Sequence, residues 1–323
     1  MYNILRQIYY FIKKVYFYLI FIYFRNNKQK FTIFLFHDVT DNPSKFAKDF
    51  NLYVTKRTFE KQINWIRNNY SILSPQDLLY PNDLPENSAL ITFDDGFKGA
   101  FSNGIKYLSF NRIPSLMFLN MDNILNNTPL ISSTITYLSL YSKDFNNYNI
   151  SNKIDQPYHL SYNPELFKIA TKNHDKFIYN DIIEYQGQIA NFETINEFSN
   201  NNFVYYGNHL YEHWNSAQLK NNDFEFLYKK NEIELKKMKN YINIFAFPNG
   251  QPKTCFNFSN IVSLHNLQIK KIFYSSGGVN QNINSFIYNR VALSENENNK
   301  LNFYSRIAKG YFINDLFKIF NFN

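Results

Sequence analysis

Six short, almost unbroken apolar runs recur along this 323-residue chain: 31–37 (FTIFLFH), 89–93 (ALITF), 115–119 (SLMFL), 203–206 (FVYY), 243–247 (NIFAF) and 271–274 (KIFY). Each has the length of a strand and is bounded by turn residues. Between them lie segments with helical spacing, at 57–69, 98–110 and 216–240. The last carries so many Lys and Glu that it reads as a solvated amphipathic helix. Strands that are apolar on both faces must be covered on both faces, so their alternation with helices predicts an α/β protein built on a parallel sheet, open or closed into a barrel. Residues 121–200 break the alternation. Rich in Asn and Tyr, with helical patches such as 176–189 and no convincing strand, they read as an insertion, a cap or irregular helical excursion beside the site.

Composition excludes several classes. At 45% hydrophobic and 19% charged, the chain can bury a large core and is not disordered. One Cys allows neither an internal disulfide nor a multi-Cys zinc cluster, so any metal must be held by His and carboxylates. The lone Cys255 has no His nearby in sequence and is not expected to act as a nucleophile. The net charge of +8 suggests nucleic acid until its distribution is read. Arg6, Lys13, Lys14, Arg25, Lys28 and Lys30 lie in an acid-free segment, 1–30, which leaves +2 on everything else. A body so near neutrality is not expected to bind nucleic acid.

That N-terminal segment holds a ten-residue apolar run, 15–24 (VYFYLIFIYF), closed by Arg25. Spanning about 30 Å of hydrocarbon takes roughly 20 residues. Extending the run backwards would place Lys13 and Lys14 near mid-membrane, at about 2.5–3.5 kcal/mol each. No small-residue cleavage site comes after it. An aromatic, basic, acid-free helix suits the surface of an anionic membrane, so peripheral contact through residues 1–24 is expected, with a helix packed on the domain and a spanning anchor as alternatives. Arg25, Lys28 and Lys30 argue against export of the body C-terminal to them. The expected location is therefore cytoplasmic, at the inner face of the plasma membrane, with an exported, anchored form as the lesser alternative.

Ionisable side chains gather where the strands end, the edge at which parallel α/β folds present their loops. They are His37-Asp38, Asp94-Asp95-Gly96, His209-Leu210-Tyr211-Glu212-His213 and Phe247-Pro248-Asn249-Gly250. The two His stand four apart, so on one helical turn both imidazoles would face one cation. Two imidazoles and a carboxylate leave a coordination position open for water. The adjacent Asp pair can supply one ligand and one general base. Taken alone, HxxxH is more often a solvated helix face and Asp-Asp-Gly more often a capped turn.

In that order the motifs resemble a known family. TFDDG at 92–96 followed by IPSLMFLN at 113–120, then HLYEH at 209–213 and FAFPNG at 245–250, are similar to successive motifs of the polysaccharide deacetylases, the NodB-homology group of carbohydrate esterase family 4. FLFHDV at 34–39, TFEKQINWIRNNYSILSPQDLL and the FAFPNG strand resemble the sub-branch with FAYPFG-like sequences. The resemblance runs from about 31 to 292 and covers 121–200 poorly. It implies a distorted (β/α) barrel with about seven parallel strands and a mostly helical insertion. The domains expected are an N-terminal helix (1–30), a catalytic domain (31–300) and a C-terminal helical tail (301–323).

The resemblance also implies roles. Asp94 would be the general base, and Asp95, His209 and His213 would bind a divalent metal, zinc before nickel or cobalt. The reaction implied is metal-dependent hydrolysis of an N-acetyl group on a sugar of a cell-surface polysaccharide, lipopolysaccharide or lipid-linked glycan precursor. An O-acetyl esterase and a non-catalytic glycan-binding member of the fold are the alternatives. A backbone N–H near Pro248 and Asn249 would stabilise the oxyanion. Three departures stand out: Ala246 occupies the place where many members carry an Arg, Asn249 replaces the usual aromatic, and no Leu-x-His appears near the C-terminus. His37 is the substitute expected as general acid, with a strand cap or core hydrogen bond as its plainer role. Arg290 is a candidate partner for Asp94 in place of the missing Arg, or a surface ion pair. His159, His174 and His265 have no partner at ligand spacing and read as structural. The sequence is silent on oligomeric state.

Overall fold

The computed structural model describes residues 2–25, 31–80, 85–141 and 176–313. The apolar runs form strands β1 (Phe31–Phe36), β3 (Ser88–Phe93), β4 (Ser115–Leu119), β5 (Val204–Asn208), β6 (Tyr241–Ala246) and β7 (Lys271–Tyr274). Every residue of β1 and β3 is buried, as double-sided cover requires. Three short strands join them: β2 (Ser71–Ile72), β8 (Ile287–Asn289) and β9 (Val291–Ala292). The sheet runs β8-β7-β6-β5-β4-β3-β1-β9, with β2 also paired to β3, and all its ladders are parallel.

The last two strands close the structure. β8 pairs with β7 at one end of the sheet and β9 with β1 at the other, with only Arg290 between them. Residues 287–292 are thus one stave broken at Arg290, and the sheet becomes a distorted barrel. Asn280 seals the seam. Its amide donates to the Asn289 C=O (2.8 Å), its carbonyl accepts from the Asn289 N–H (2.7 Å), and its backbone bridges Phe31.

Strand parity divides the core. Phe31, Ile33, Leu90, Leu116, Phe118, Ile242, Ile244, Phe273 and Tyr288 pack together inside the barrel, while Phe34, Phe36, Ile91, Phe93, Met117 and Phe245 face the helices. Gly207 is required here: a Cβ at that position would lie 2.7 Å from the Phe118 ring.

Helix α1 (Tyr2–Arg25) crosses the outside of the barrel and packs on α4 (Lys300–Gly310) through Phe17, Tyr18 and Phe21. Helix α2 (Lys56–Arg67) starts where the Thr55 hydroxyl accepts from the Thr58 N–H, and it buries Phe59, Ile63 and Ile66. The segment 216–240, expected as one solvated helix, divides into a 3-10 turn and α3 (Asn221–Leu235). The inner face of α3 buries Phe224, Leu227, Tyr228, Asn231 and Leu235. The described parts of the insertion are helical (Met121–Asn126, Ile131–Tyr141, Lys176–Gln186 and Phe192–Glu197), and they return along the site loop, where the Ala190 N–H donates to the Gly96 C=O. The middle of the insertion, with His159 and His174, and the tail beyond 313 lie outside the described residues. His265 sits exposed on the helix Phe258–Asn266, edge-on to Phe286.

Candidate active site

The inward parity of the strands continues past their C-terminal ends. After Ile33 and Leu35 comes His37; after Leu90 and Thr92, Asp94; after Tyr205 and Gly207, His209. These side chains meet Asp95, His213, Asn249 and Arg290 around one cavity of about 730 Å³ at the mouth of the barrel. That volume falls in the range of small-ligand sites, about 300–1,000 Å³. Phe46, Phe50 and Leu52 add apolar lining, and Asn249, Gln251, Thr254 and Ser275 add polar lining.

The TFDDG turn is a tight reversal. Asp95 (φ 70°) and Gly96 (φ 77°) both adopt the left-handed region, and the Gly96 N–H donates back to the Asp94 C=O at 2.9 Å. Successive carboxylates are thereby aimed differently. Asp94 is gripped by both arms of the Arg290 guanidinium, at 2.6 and 2.7 Å, with both residues buried. Asp95 reaches the imidazoles: its Oδ1 lies 3.1 Å from His213 Nε2 and 3.5 Å from His209 Nε2.

The two His are not on a helical turn. Residues 209–213 form an irregular loop in which Leu210 (φ 62°) and His213 (φ 46°) are left-handed, and this folding, rather than i, i+4 spacing on a helix, brings the rings to 5.0 Å. Buried asparagines hold the loop, and the sequence reading missed them. Asn208 accepts from the Leu210 N–H (2.9 Å), Asn231 of α3 donates to Asn208 (2.8 Å) and to the Leu119 C=O (2.8 Å), and Asn120 donates to the His209 and Leu210 carbonyls. Asn at a strand end reads as a turn signal; the inward parity of Asn120, two residues past Phe118, was the available clue.

A cation fits this donor set. Asp95 Oδ1 is buried and lacks a hydrogen-bond partner, and one ligand atom from each of Asp95, His209 and His213 falls within 4.8 Å of the others. His209 Nδ1 lies 2.8 Å from the Ala246 C=O, which fixes the proton there and turns the Nε2 lone pair towards Asp95. A lone pair facing an unpartnered carboxylate oxygen repels it unless something positive lies between.

Charge balance follows burial and partners. Burial raises the Asp94 carboxyl, but Arg290 and His209 outweigh it and hold it below the ordinary range. His37 is lowered by burial, against the pull of Asp95 and Asp94. Arg290 also lies over the Phe118 ring, 5.3 Å from its centroid. Pro248 is buried, and the neighbouring Asn249 (φ 60°) lines the cavity. Cys255 is fully buried, and burial pushes its thiol up to about 11.

No family model matches the chain, and no curated protein matches it. Solved structures do. It is similar to the Streptococcus pyogenes deacetylase PplD, determined in complex with acetate, at 15% identity over 88% of this chain and 97% of that one, with a TM-score of 0.55. IcaB from Ammonifex degensii matches at 16% identity over 86% and 97%, with a TM-score of 0.56. The polysaccharide deacetylase BC0361 from Bacillus cereus matches at 13% over 88% and 68%, with a TM-score of 0.55. The fold is that of the polysaccharide deacetylases. On this deacetylase fold, the cavity at the barrel mouth holds the buried Asp-His-His cluster and the Asp94–Arg290 pair side by side.

Proposed function

We propose that the protein is a metal-dependent deacetylase that hydrolyses the N-acetyl group of a sugar in a cell-surface polysaccharide, lipopolysaccharide or lipid-linked glycan precursor. The observation that carries this reading is the unpartnered Asp95 Oδ1 facing two imidazoles, beside an Asp94 fixed by an Arg 196 positions away in sequence. Asp95, His209 and His213 would hold the cation, zinc being best suited to two imidazoles and a carboxylate. When bound, it would supply Lewis-acid activation of water and of the acyl carbonyl.

The chain's own groups do the rest. Asp94, kept ionised by Arg290, takes a proton from the attacking water. Water oxygen bonds to the acyl carbon, the carbon–nitrogen bond breaks, and the leaving nitrogen needs a proton. His37, neutral at rest because burial lowers it, is placed in the same cavity to relay that proton. Asn249 lines the cavity, and its backbone N–H is the donor this reading assigns to the oxyanion. Phe46 and Phe50 offer apolar faces to a sugar ring.

The test is acetate release from an N-acetylglucosamine oligomer by the zinc-loaded protein, by Asp94→Asn and after chelation. Loss of the base should cost about 10²–10⁴ in rate. Equal rates for parent and Asp94→Asn would sink the assignment, and release only from O-acetylated sugars would redirect it to esters.

A further inference from the structure

Helix α1 is longer than its contact with the barrel. Phe17, Tyr18, Ile20 and Phe21 pack on the core, the Ser305 hydroxyl donates to the Lys14 C=O, and Phe21 stacks on Tyr304 at 4.4 Å. Residues 4–13, by contrast, are exposed at every position. At 1.5 Å per residue, about 15 Å of helix projects from the body. It is apolar in the main: Ile8, Phe11 and Ile12 are 49%, 60% and 60% exposed, and Ile4, Leu5, Tyr9 and Tyr10 are equally open. A projecting helix with so many large apolar side chains in water has its partner elsewhere.

Charge selects the partner. The helix contains no Asp or Glu. Arg6 lies over Tyr10 and Lys13 over Tyr9, at 5.7 and 5.9 Å. The basic field continues onto α4, where Lys309 lies 5.7 Å from the Phe17 ring and, besides its burial, is disfavoured as a cation by Arg306, Lys13 and Lys14, with Glu297 the opposing acid. Two copies of this face would repel each other, whereas anionic headgroups would neutralise it. No described helix is long and apolar enough to cross a membrane. Tyrosines interleaved with Lys and Arg are the residues that settle at headgroup depth.

We propose that α1 lies in the surface of an anionic lipid bilayer, with its free first turns inserted at headgroup depth and its middle clamped to α4, so that the barrel is tethered without a spanning segment. The proposal does not depend on the deacetylase reading.

The experiment is flotation of the full-length protein with vesicles of phosphatidylcholine alone and of phosphatidylcholine mixed with phosphatidylglycerol, at low and high salt. The parent should float with the anionic vesicles, and less so at high salt. Arg6→Glu/Lys13→Glu should lower partitioning by at least roughly 30-fold, at about fivefold for each cation lost and further for the two acids gained. Ile8→Ser/Phe11→Ser should abolish it. None of these residues touches the barrel, so circular dichroism and acetate release from a soluble substrate should match the parent. Equal flotation on neutral vesicles, or indifference to the Glu substitutions, would overturn the proposal. So would absence of flotation; if light scattering then showed a dimer that Ile8→Ser/Phe11→Ser dissolves, the face would belong to a second copy instead.

Discussion

Replacing Arg290 by Met tests the centre of the site through stability alone. In the parent, the Asp94 carboxylate is 3% exposed, Arg290 1%, and two charge-assisted hydrogen bonds of 2.6 and 2.7 Å join them. Removing one member of such a pair strands a buried charge, at a typical cost of about 3–5 kcal/mol. At about 2–4 °C per kcal/mol for a domain of this class, the midpoint of thermal unfolding should fall by roughly 10 °C. Arg290→Lys keeps the charge and loses the two-armed grip, so it should lie between parent and Met. Asp94→Asn/Arg290→Met should recover most of the loss, because a neutral amide needs no counter-ion. The pH dependence has a definite sign. Asp94 is held below its unfolded value, so the pairing stabilises above the unfolded pKa and fades as pH falls through the folded one. The gap between parent and Arg290→Met should therefore be widest near neutrality and close towards acid. Thermal or urea unfolding followed by circular dichroism reads all of this. An Arg290→Met protein within about 1 kcal/mol of the parent at neutral pH, or a double variant no more stable than Arg290→Met, would refute the reasoning.

The geometry leads to three further outcomes. Gly207→Ala places a methyl 2.7 Å from Phe118, the ring beneath Arg290, and should cost about 1–3 kcal/mol in urea unfolding, partly restored by Phe118→Leu. Burial raises Asp38 to about 6, so its charged form destabilises the fold as pH rises from the unfolded value to that point; Asp38→Asn should gain on the order of 3 kcal/mol near neutrality and nothing at low pH, and an equal gain at both would exclude ionisation as the cause. His213→Ala should leave the circular dichroism spectrum intact and weaken zinc binding more than about tenfold in equilibrium dialysis, since a ligand matters at least as much as the groups that orient it.

Much of the barrel could be read from the chain because its staves are apolar on both faces: FTIFLF and SALITF announce burial wherever they lie. The closing stave could not. It is three residues, a buried Arg and two more, and nothing in YNRVA marks strand pairing until both ends of the sheet are present to accept it. The site residues were visible as types at strand ends, and the cavity gathers Asp94, Asp95, His209, His213, His37 and Arg290. What joins His209 to His213 was not legible. Spacing suggested a helix, whereas two left-handed residues and the Asn120–Asn208–Asn231 network produce a loop. Asparagine carries both turn-forming and network-forming chemistry, and only tertiary context decides between them.

Because the broken stave both shuts the barrel and delivers Arg290 to Asp94, the two events are one. A nascent chain that has not yet added residues 287–292 would hold an open sheet and an aspartate with no counter-ion, whatever the state of the rest. Competence at the mouth therefore waits for the last stave, as a proof that the whole circuit of strands has been completed.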